Sequence, residues 1–311
     1  MPIAGRLVIL RPGDIVECHE LALGGARFKF DELPYEMAKD ADPGPDGVPR
    51  NSGPLQVRQH PGSDGYDVIH PVTGRSINDL PLTQKVAVDL EGCVDTMSAK
   101  AHNRPGTTPG WKIPILWNSG TVFVFGGGPS LAGVDVNRLK GHRVIAVNNA
   151  YKLADWIDVM FYGDCRWLGG HADGLKRFSG LKMTTCPNHD SNLGRSIGIK
   201  VLAKRRQHGI HSQPDAVNWN LSSGACAINV AVHLGAKRII LLGYDMRRVD
   251  GRNNWHPDHI TTKDHNPYAR FLTPFPIIAA DLRRLGVECV NATPGSALTV
   301  FPIVDPEEVL P

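Results

Sequence analysis

The sequence has no apolar run near the roughly 20 residues that a bilayer-spanning helix needs. Its start lacks the basic-then-apolar pattern of a signal peptide, so a cytoplasmic protein is expected, in the host's cytoplasm if the gene belongs to a phage. It also has no Cys-x-x-Cys pair. Its six cysteines, Cys18, Cys93, Cys165, Cys186, Cys226 and Cys289, are scattered, which argues against a zinc site or disulfide framework; reduced, mostly buried thiols are expected. A formal charge of +3 over 311 residues gives nucleic acid little electrostatic hold. Repeats and low-complexity segments are absent as well. With 41% hydrophobic and 21% charged residues, the chain has a globular composition, long enough for one large core or for a main domain plus a smaller one.

Residues 1–110 differ in texture from residues 111–311, and we divide the chain there. Asp40–Gly53 and Ala101–Gly110 concentrate Pro, Gly, Asn and Asp and read as loops or linkers. Between them Tyr66–His70 fits a short strand and Leu80–Ala101 one amphipathic helix. No chemistry is assigned to this region. From Thr121 onward short apolar runs alternate with helical stretches, the pattern of βαβ units around a buried parallel sheet. The strand candidates are Thr121–Phe125, Arg143–Asn148, Ile157–Gly163, Leu181–Thr185, Arg238–Gly243 and Val287–Asn291. Helices are expected at Ser223–Gly235, apolar on nearly every face, and at Tyr268–Leu285, which ends before Gly286. The fold class is therefore α/β, a Rossmann-like, mostly parallel sheet with helices on both faces, plus a smaller irregular N-terminal region.

The candidate chemistry follows the strand ends. In TVFVFGGGPSL a strand runs into Gly126, Gly127 and Gly128, which allow a sharp turn and close approach to a phosphate. Unpaired N–H groups of the next helix would face the anion, with Pro129 in the first turn and Ser130 adding a hydroxyl. The position of a third Rossmann glycine is Leu131 and there is no P-loop lysine, which disfavours a dehydrogenase or a Walker-type ATPase. Asn148 and Asn149 end the next strand and either read a base edge or ribose, or cap the following helix. Asp164 either binds a ribose, metal or hydroxyl, or acts as a plain N-cap. Ser222, Ser223 and Gly224 open a helix whose N-terminus suits a phosphate or carboxylate, while capping alone accounts for the serines. After Gly243-Tyr244-Asp245 a polar loop carries Arg247, Arg248, Asp250, Arg252, Trp255, His256, Asp258 and His259. It reads as a lid bearing a general base, as part of a metal site, or as an exposed loop with incidental histidines.

The segments GGGPSL, VNNAY, SSGACA and LGAKRIILLGYDM, in this order, resemble phage and bacterial proteins grouped with the MptE-like pterin pyrophosphokinases, the domain of unknown function 115 group. More distantly they resemble the Campylobacter-type sialyltransferases of glycosyltransferase family 42. The resemblance spans roughly Val122 to Pro302 and is strongest for the phage branch, including VNATPGSAL. The sialyltransferase likeness implies that Gly126, Gly128, Ser130, Asn148, Ser223 and Gly224 hold a CMP-sugar-like nucleotide donor without a metal. It implies that His256 activates an acceptor hydroxyl as a base. Gly127 stands where the family carries Asn, and the family's phosphate-steadying tyrosine pair has no clear equivalent here, Tyr244 and Tyr268 being candidates. The pyrophosphokinase likeness implies ATP with Mg²⁺ held by Asp164 and Asp245. A phage morphogenesis or accessory protein without catalysis is the alternative from another class. The partners expected are a small-molecule nucleotide donor and an unidentified acceptor; a homo-oligomer is compatible with the sequence.

Overall fold

The computed structural model describes residues 55–91, 111–118, 120–187, 194, 197–257 and 266–311, together with an antiparallel pair of short strands, β1 (Ile15–Glu17) and β2 (Arg27–Lys29). The antiparallel hairpin of β3 (Gln56–Gln59) and β4 (Tyr66–Ile69) comes next, followed by α1 (Gln84–Glu91). The remaining elements are β5 (Thr121–Phe125), β6 (Arg143–Val147), β7 (Val159–Tyr162), α2 (Ala172–Arg177), β8 (Leu181–Thr184), β9 (Ile199–Val201), β10 (Ala203–Arg205) and β11 (Ala216–Asn218). They continue with α3 (Ser223–Leu234), β12 (Arg238–Leu242), α4 (Tyr268–Leu272), α5 (Phe275–Arg284) and β13 (Glu288–Asn291).

Seven of these strands form one sheet in the order β13-β12-β5-β6-β7-β8-β9, and every pairing in it is parallel. Side chains alternate across a strand, so one strand feeds two cores. Val122, Val124, Ile145, Val147, Ile239 and Leu241 pack with α3 and α5, while Phe123, Phe125, Val144, Ala146, Ile240 and Leu242 pack on the opposite face. There the connections after β5 and β6 are 3-10 turns, Pro129–Gly133, Val136–Leu139 and Asn148–Leu153. The chain winds outward from β5 to β9, then returns to lay β12 on the other side of β5. The topological switch, where ligands of open α/β sheets bind at the strands' carboxyl ends, therefore lies between β5 and β12.

The hairpin and α1 share the α3-side core: Leu55, Val68, Ile77, Leu82, Ala87 and Leu90 cluster with Leu116, Trp117 and Leu234. Trp117 Nε1–H donates to Ile77 O (2.9 Å), and Arg143 pairs with Asp79. At the amino end of the sheet the Arg75 guanidinium meets Asp158 at 2.7 Å. Burial raises the Asp158 carboxyl to about 7, an effect that Arg75 and the Val144 N–H oppose. Burial also lowers His70 to about 4. That ring accepts from Val72 N–H at Nδ1 and donates from Nε2 to Ile157 O, the neutral tautomer.

Three expectations need correction. The helix expected over Tyr268–Leu285 is two, because Pro274 has no N–H to continue α4. Strands β9, β10 and β11 were not expected; each has three residues, too few for a period to show. Cys165 and Cys186 are joined in a disulfide, Cα atoms 5.3 Å apart, because β7 and β8 are parallel neighbours whose ends fall side by side. Cys226 and Cys289 are free and buried, as expected, while Cys18 and Cys93 lie outside the described residues. Of the helix expected over Leu80–Ala101, Gln84–Glu91 is helical and residues 92–101 lie outside the description, as do the expected loops Asp40–Gly53 and Ala101–Gly110. Among the described residues no helix is long and apolar enough to cross a membrane.

Candidate functional site

The glycine turn leaves β5 at the switch point, and its N–H groups are largely engaged within the protein. Gly126 N–H donates to Leu242 O (2.7 Å) and Gly128 N–H to Gly243 O (2.8 Å). Ser130 directs its N–H (3.3 Å) and its hydroxyl (2.8 Å) at the carboxylate of Asp245, a residue only 2% exposed. A side-chain anion thus sits at the head of the 3-10 turn where a ligand's phosphate was expected. Among the described residues Gly127 alone of the three glycines keeps its N–H out of a backbone hydrogen bond, and its carbonyl accepts from Trp255 N–H (3.1 Å).

The glycines are needed for close packing rather than for unusual dihedrals. None of the three has a positive φ. A Cβ on Gly126 would stand 2.5 Å from Gly243 O, and one on Gly128 would overlap the Asp245 carboxylate. Gly224 has the same kind of reason: a Cβ there would come within 3.2 Å of the Tyr244 ring, whose hydroxyl donates to Gly224 O (3.0 Å). Ser222 caps α3 by accepting from Ala225 N–H (3.2 Å), and Ser223 Oγ accepts from Gly163 N–H (3.1 Å), tying α3 to the loop after β7.

Asn148 and Asn149 lie at the end of β6, and neither side chain caps the turn that follows. Asn148 takes a left-handed backbone, φ +51°, and its Oδ1 is buried with no hydrogen-bond partner among the described residues. Asn149 is 3% exposed; its Oδ1 accepts from Trp167 Nε1–H (2.7 Å) and its amide contacts His256 Nδ1 (3.3 Å). The structure thus joins two sequence candidates, Asn149 and His256, at the carboxyl edge. The loop bearing His256 is drawn onto the glycine turn by Trp255 and held from below by Tyr268, whose hydroxyl donates to Asn253 O (2.9 Å). Burial, reinforced by the negative Asp245, pushes Tyr268 up to about 12. His259 and Asp258 lie outside the described residues.

Asp164 stands apart. It is exposed, accepts from Arg166 N–H (3.0 Å) and lies 3.5 Å from the Arg166 guanidinium, so it closes its own loop. Asp245 accepts from Ser130, and among the described residues no cluster of three His, Cys, Asp or Glu is placed for a metal.

Residues that the sequence did not single out also line this edge. Trp167 follows β7 and holds Asn149. Lys204 Nζ sits 4.0 Å over the Trp219 ring and 3.3 Å from Gly163 O, its pKa lowered by burial. Thr185 Oγ1 is buried with no partner among the described residues. Trp167 had one available signal, its place just beyond a strand end next to Asp164.

These features define an α/β protein with a doubly wound parallel sheet and a polar carboxyl edge at its switch point. No protein-family model matches the chain, and no curated protein does. Among solved structures it is similar to the sialyltransferase CstII from Campylobacter jejuni in complex with a substrate analogue, cytidine-5'-monophosphate, at 17% identity and a TM-score of 0.38, over 61% of this chain and 86% of that one. It is similar also to the sialyltransferase CST-II in complex with a trisaccharide acceptor and CMP, at 18% identity and a TM-score of 0.34, over 60% of this chain and 86% of that one. At this level of likeness no residue role passes from those enzymes to this chain.

Proposed function

We propose that the chain is a nucleotide-dependent group transferase, most simply a glycosyltransferase that takes a nucleotide-activated sugar at the carboxyl edge between β5, β6 and β12. The observation that carries this reading is Asn148: a residue beside the switch point, in a left-handed conformation, with a buried side-chain oxygen that has no partner among the described residues. A buried acceptor without a donor is costly, and a ligand's ribose hydroxyl or base amino group would relieve that cost. Gly127, whose N–H makes no backbone hydrogen bond among the described residues, is the point of the turn that would meet a phosphate, and Ser223 and Gly224 supply a second N-terminal helix dipole. His256 and its partner Asn149 stand beside the reacting groups in this reading.

The test is a thermal-shift screen of the full chain against CMP, CDP, UDP, GDP, ATP and pterins, with and without Mg²⁺. A ligand at about 100 times its Kd stabilises the folded state by about 2.7 kcal/mol, an easily measured shift. Stabilisation by CMP or CDP without metal, lost in Asn148→Ala, is the expected result. Stabilisation by ATP only with Mg²⁺ would replace this reading with phosphoryl transfer. No shift with any ligand would leave a non-enzymatic accessory role as the better account.

A further inference from the structure

We infer that Trp167 is a positioning residue that fixes, through Asn149, which nitrogen of His256 carries the proton. The inference rests on the reading of His256 as a site residue and extends it to what that ring can offer a substrate.

The argument is one of donor and acceptor bookkeeping. An indole Nε1–H can only donate, so at 2.7 Å it must face the amide oxygen of Asn149. That fixes an orientation otherwise ambiguous for an amide, and it turns the NH₂ toward His256. The NH₂ also only donates, so His256 Nδ1, 3.3 Å away, must be the acceptor. In the neutral ring the proton therefore resides on Nε2. Trp167 has little room to turn: it stacks on the His171 ring at 3.9 Å and 8°, lies 4.7 Å from the Tyr162 ring and is 5% exposed. Tyr151 in turn holds His171 through its hydroxyl at Nδ1 (3.3 Å).

The consequence is chemical. With Nδ1 accepting from Asn149, the proton of neutral His256 sits on Nε2, and toward an oxygen the ring can act only as a hydrogen-bond donor. This suits a negatively charged oxygen, such as that of a departing phosphate, and not the removal of a proton from an acceptor hydroxyl.

The experiment reads the tautomer directly, without needing the substrate. The full chain, labelled with ¹⁵N-histidine, is examined by long-range ¹H–¹⁵N correlation near pH 8, with His256 assigned among the thirteen histidines by the signals missing in His256→Gln. In the wild type Nδ1 is expected at the unprotonated position and Nε2 at the protonated one. In Asn149→Asp a carboxylate accepts from both neighbours, so the proton should move to Nδ1 and the pattern invert. In Trp167→Phe the amide is free to flip, and both nitrogens should move toward averaged positions. If Trp167→Phe does not fold, the wild type and Asn149→Asp still decide. A wild-type ring protonated at Nδ1, or an Asn149→Asp spectrum with the wild-type pattern, overturns the relay, and a folded Trp167→Phe with unchanged positions overturns the role of Trp167. Failure of nucleotide binding appears in the thermal-shift screen instead and leaves the tautomer pattern unaltered.

Discussion

Substituting the turn glycines one at a time separates packing from ligand binding. In Gly126→Ala the new Cβ would lie 2.5 Å from Gly243 O, 3.1 Å from Gly243 C and 3.0 Å from Tyr244 Cδ2. Two of these atoms are backbone, and the strands cannot part without stretching the Gly126 N–H to Leu242 O bond of 2.7 Å. Overpacking of this kind costs about 1–3 kcal/mol. The loss of glycine's freedom in the unfolded chain returns only about 0.4–1 kcal/mol. The net loss is about 0–2.6 kcal/mol, about 1.3 at mid-range, or a few degrees in Tm at about 2–4 °C per kcal/mol. In Gly127→Ala the nearest atom is the side-chain oxygen of Asn254 at 3.2 Å, which a small rotation relieves. Its Tm without ligand should stay within about 2 °C of the wild type, the two small terms offsetting each other. Its nucleotide-induced shift should nevertheless shrink if, as proposed, the Gly127 N–H meets the phosphate. Thermal denaturation of both variants, alone and with the nucleotide that stabilises the wild type, checks both halves. A Gly126→Ala protein that melts with the wild type would refute the packing argument, and an unchanged ligand shift in Gly127→Ala would refute the phosphate contact.

Asn148→Gly removes the cost of a left-handed residue together with the unpaired Oδ1, so its Tm without ligand should match or exceed that of the wild type while the nucleotide-induced shift disappears. Arg75→Met leaves Asp158, wholly buried, with Val144 N–H as its remaining partner, and denaturant titration near pH 8 should show a loss of about 3–5 kcal/mol. That loss should be smaller near pH 5, where the carboxyl is neutral. Below pH 6.5 the profile of the wild type is shaped by three buried groups. Burial lowers His70 and His233 to about 4 from 6.5, so as pH falls through this window the unfolded state takes up two protons that the folded state refuses, and stability drops. Asp158, raised from 3.8 to about 7, opposes this, because the folded state holds one proton that the unfolded state releases. The balance, two against one, predicts a fall of about 1.4 kcal/mol per pH unit between about 6.5 and 4; from 8 to 6.5 Lys182, which burial lowers to about 8, offsets the gain from Asp158 and the profile should be nearly flat. Urea titrations across that range check it, and His70→Gln should flatten the acid limb.

The sheet was legible because its strands are apolar on both faces. TVFVF and RIILL have no alternation to confuse with a surface strand, and both form where expected. The helix α3 was legible from its apolar run and serine cap, and Gly235, expected within it, adopts φ +106° at the C-cap. The site was legible in its location and less so in its roles. Glycines, serines and aspartates at strand ends read alike whether they meet a ligand or one another. Here Gly126, Gly128 and Gly224 are small because Gly243, Asp245 and Tyr244 press against them, and Ser130 and Asp245 satisfy each other. The pairings of Gly126, Gly128 and Ser130 link positions more than 100 residues apart and that of Gly224 with Tyr244 positions 20 apart, and no local pattern records them. The Cys165–Cys186 bond escaped for the same reason, as did Trp167, whose importance lies in one hydrogen bond to a residue on another strand end.

Backbone strain gives an independent bearing on where function lies. Among the described residues four non-glycines adopt a left-handed backbone, and three of them, Asn148, Leu221 and Met246, stand at the carboxyl edge: after β6, ahead of α3 and after β12. Asparagine tolerates this conformation, but for leucine and methionine it costs on the order of 1 kcal/mol or more each. The chain does use glycine on this same edge, at Gly243 with φ +72°, where the turn demands it. Glycine at Leu221 and Met246 would remove the strain, so something else keeps those side chains. For Met246 the structure supplies part of the reason, since it packs against the α3-side core. Leu221 directly precedes the cap Ser222, and its backbone sets the direction from which the α3 N-terminus opens onto the strand ends. Three of the four left-handed non-glycines among the described residues thus stand at the same sheet edge as Gly127, Asn149 and His256, and each costs stability that packing or capping there offsets.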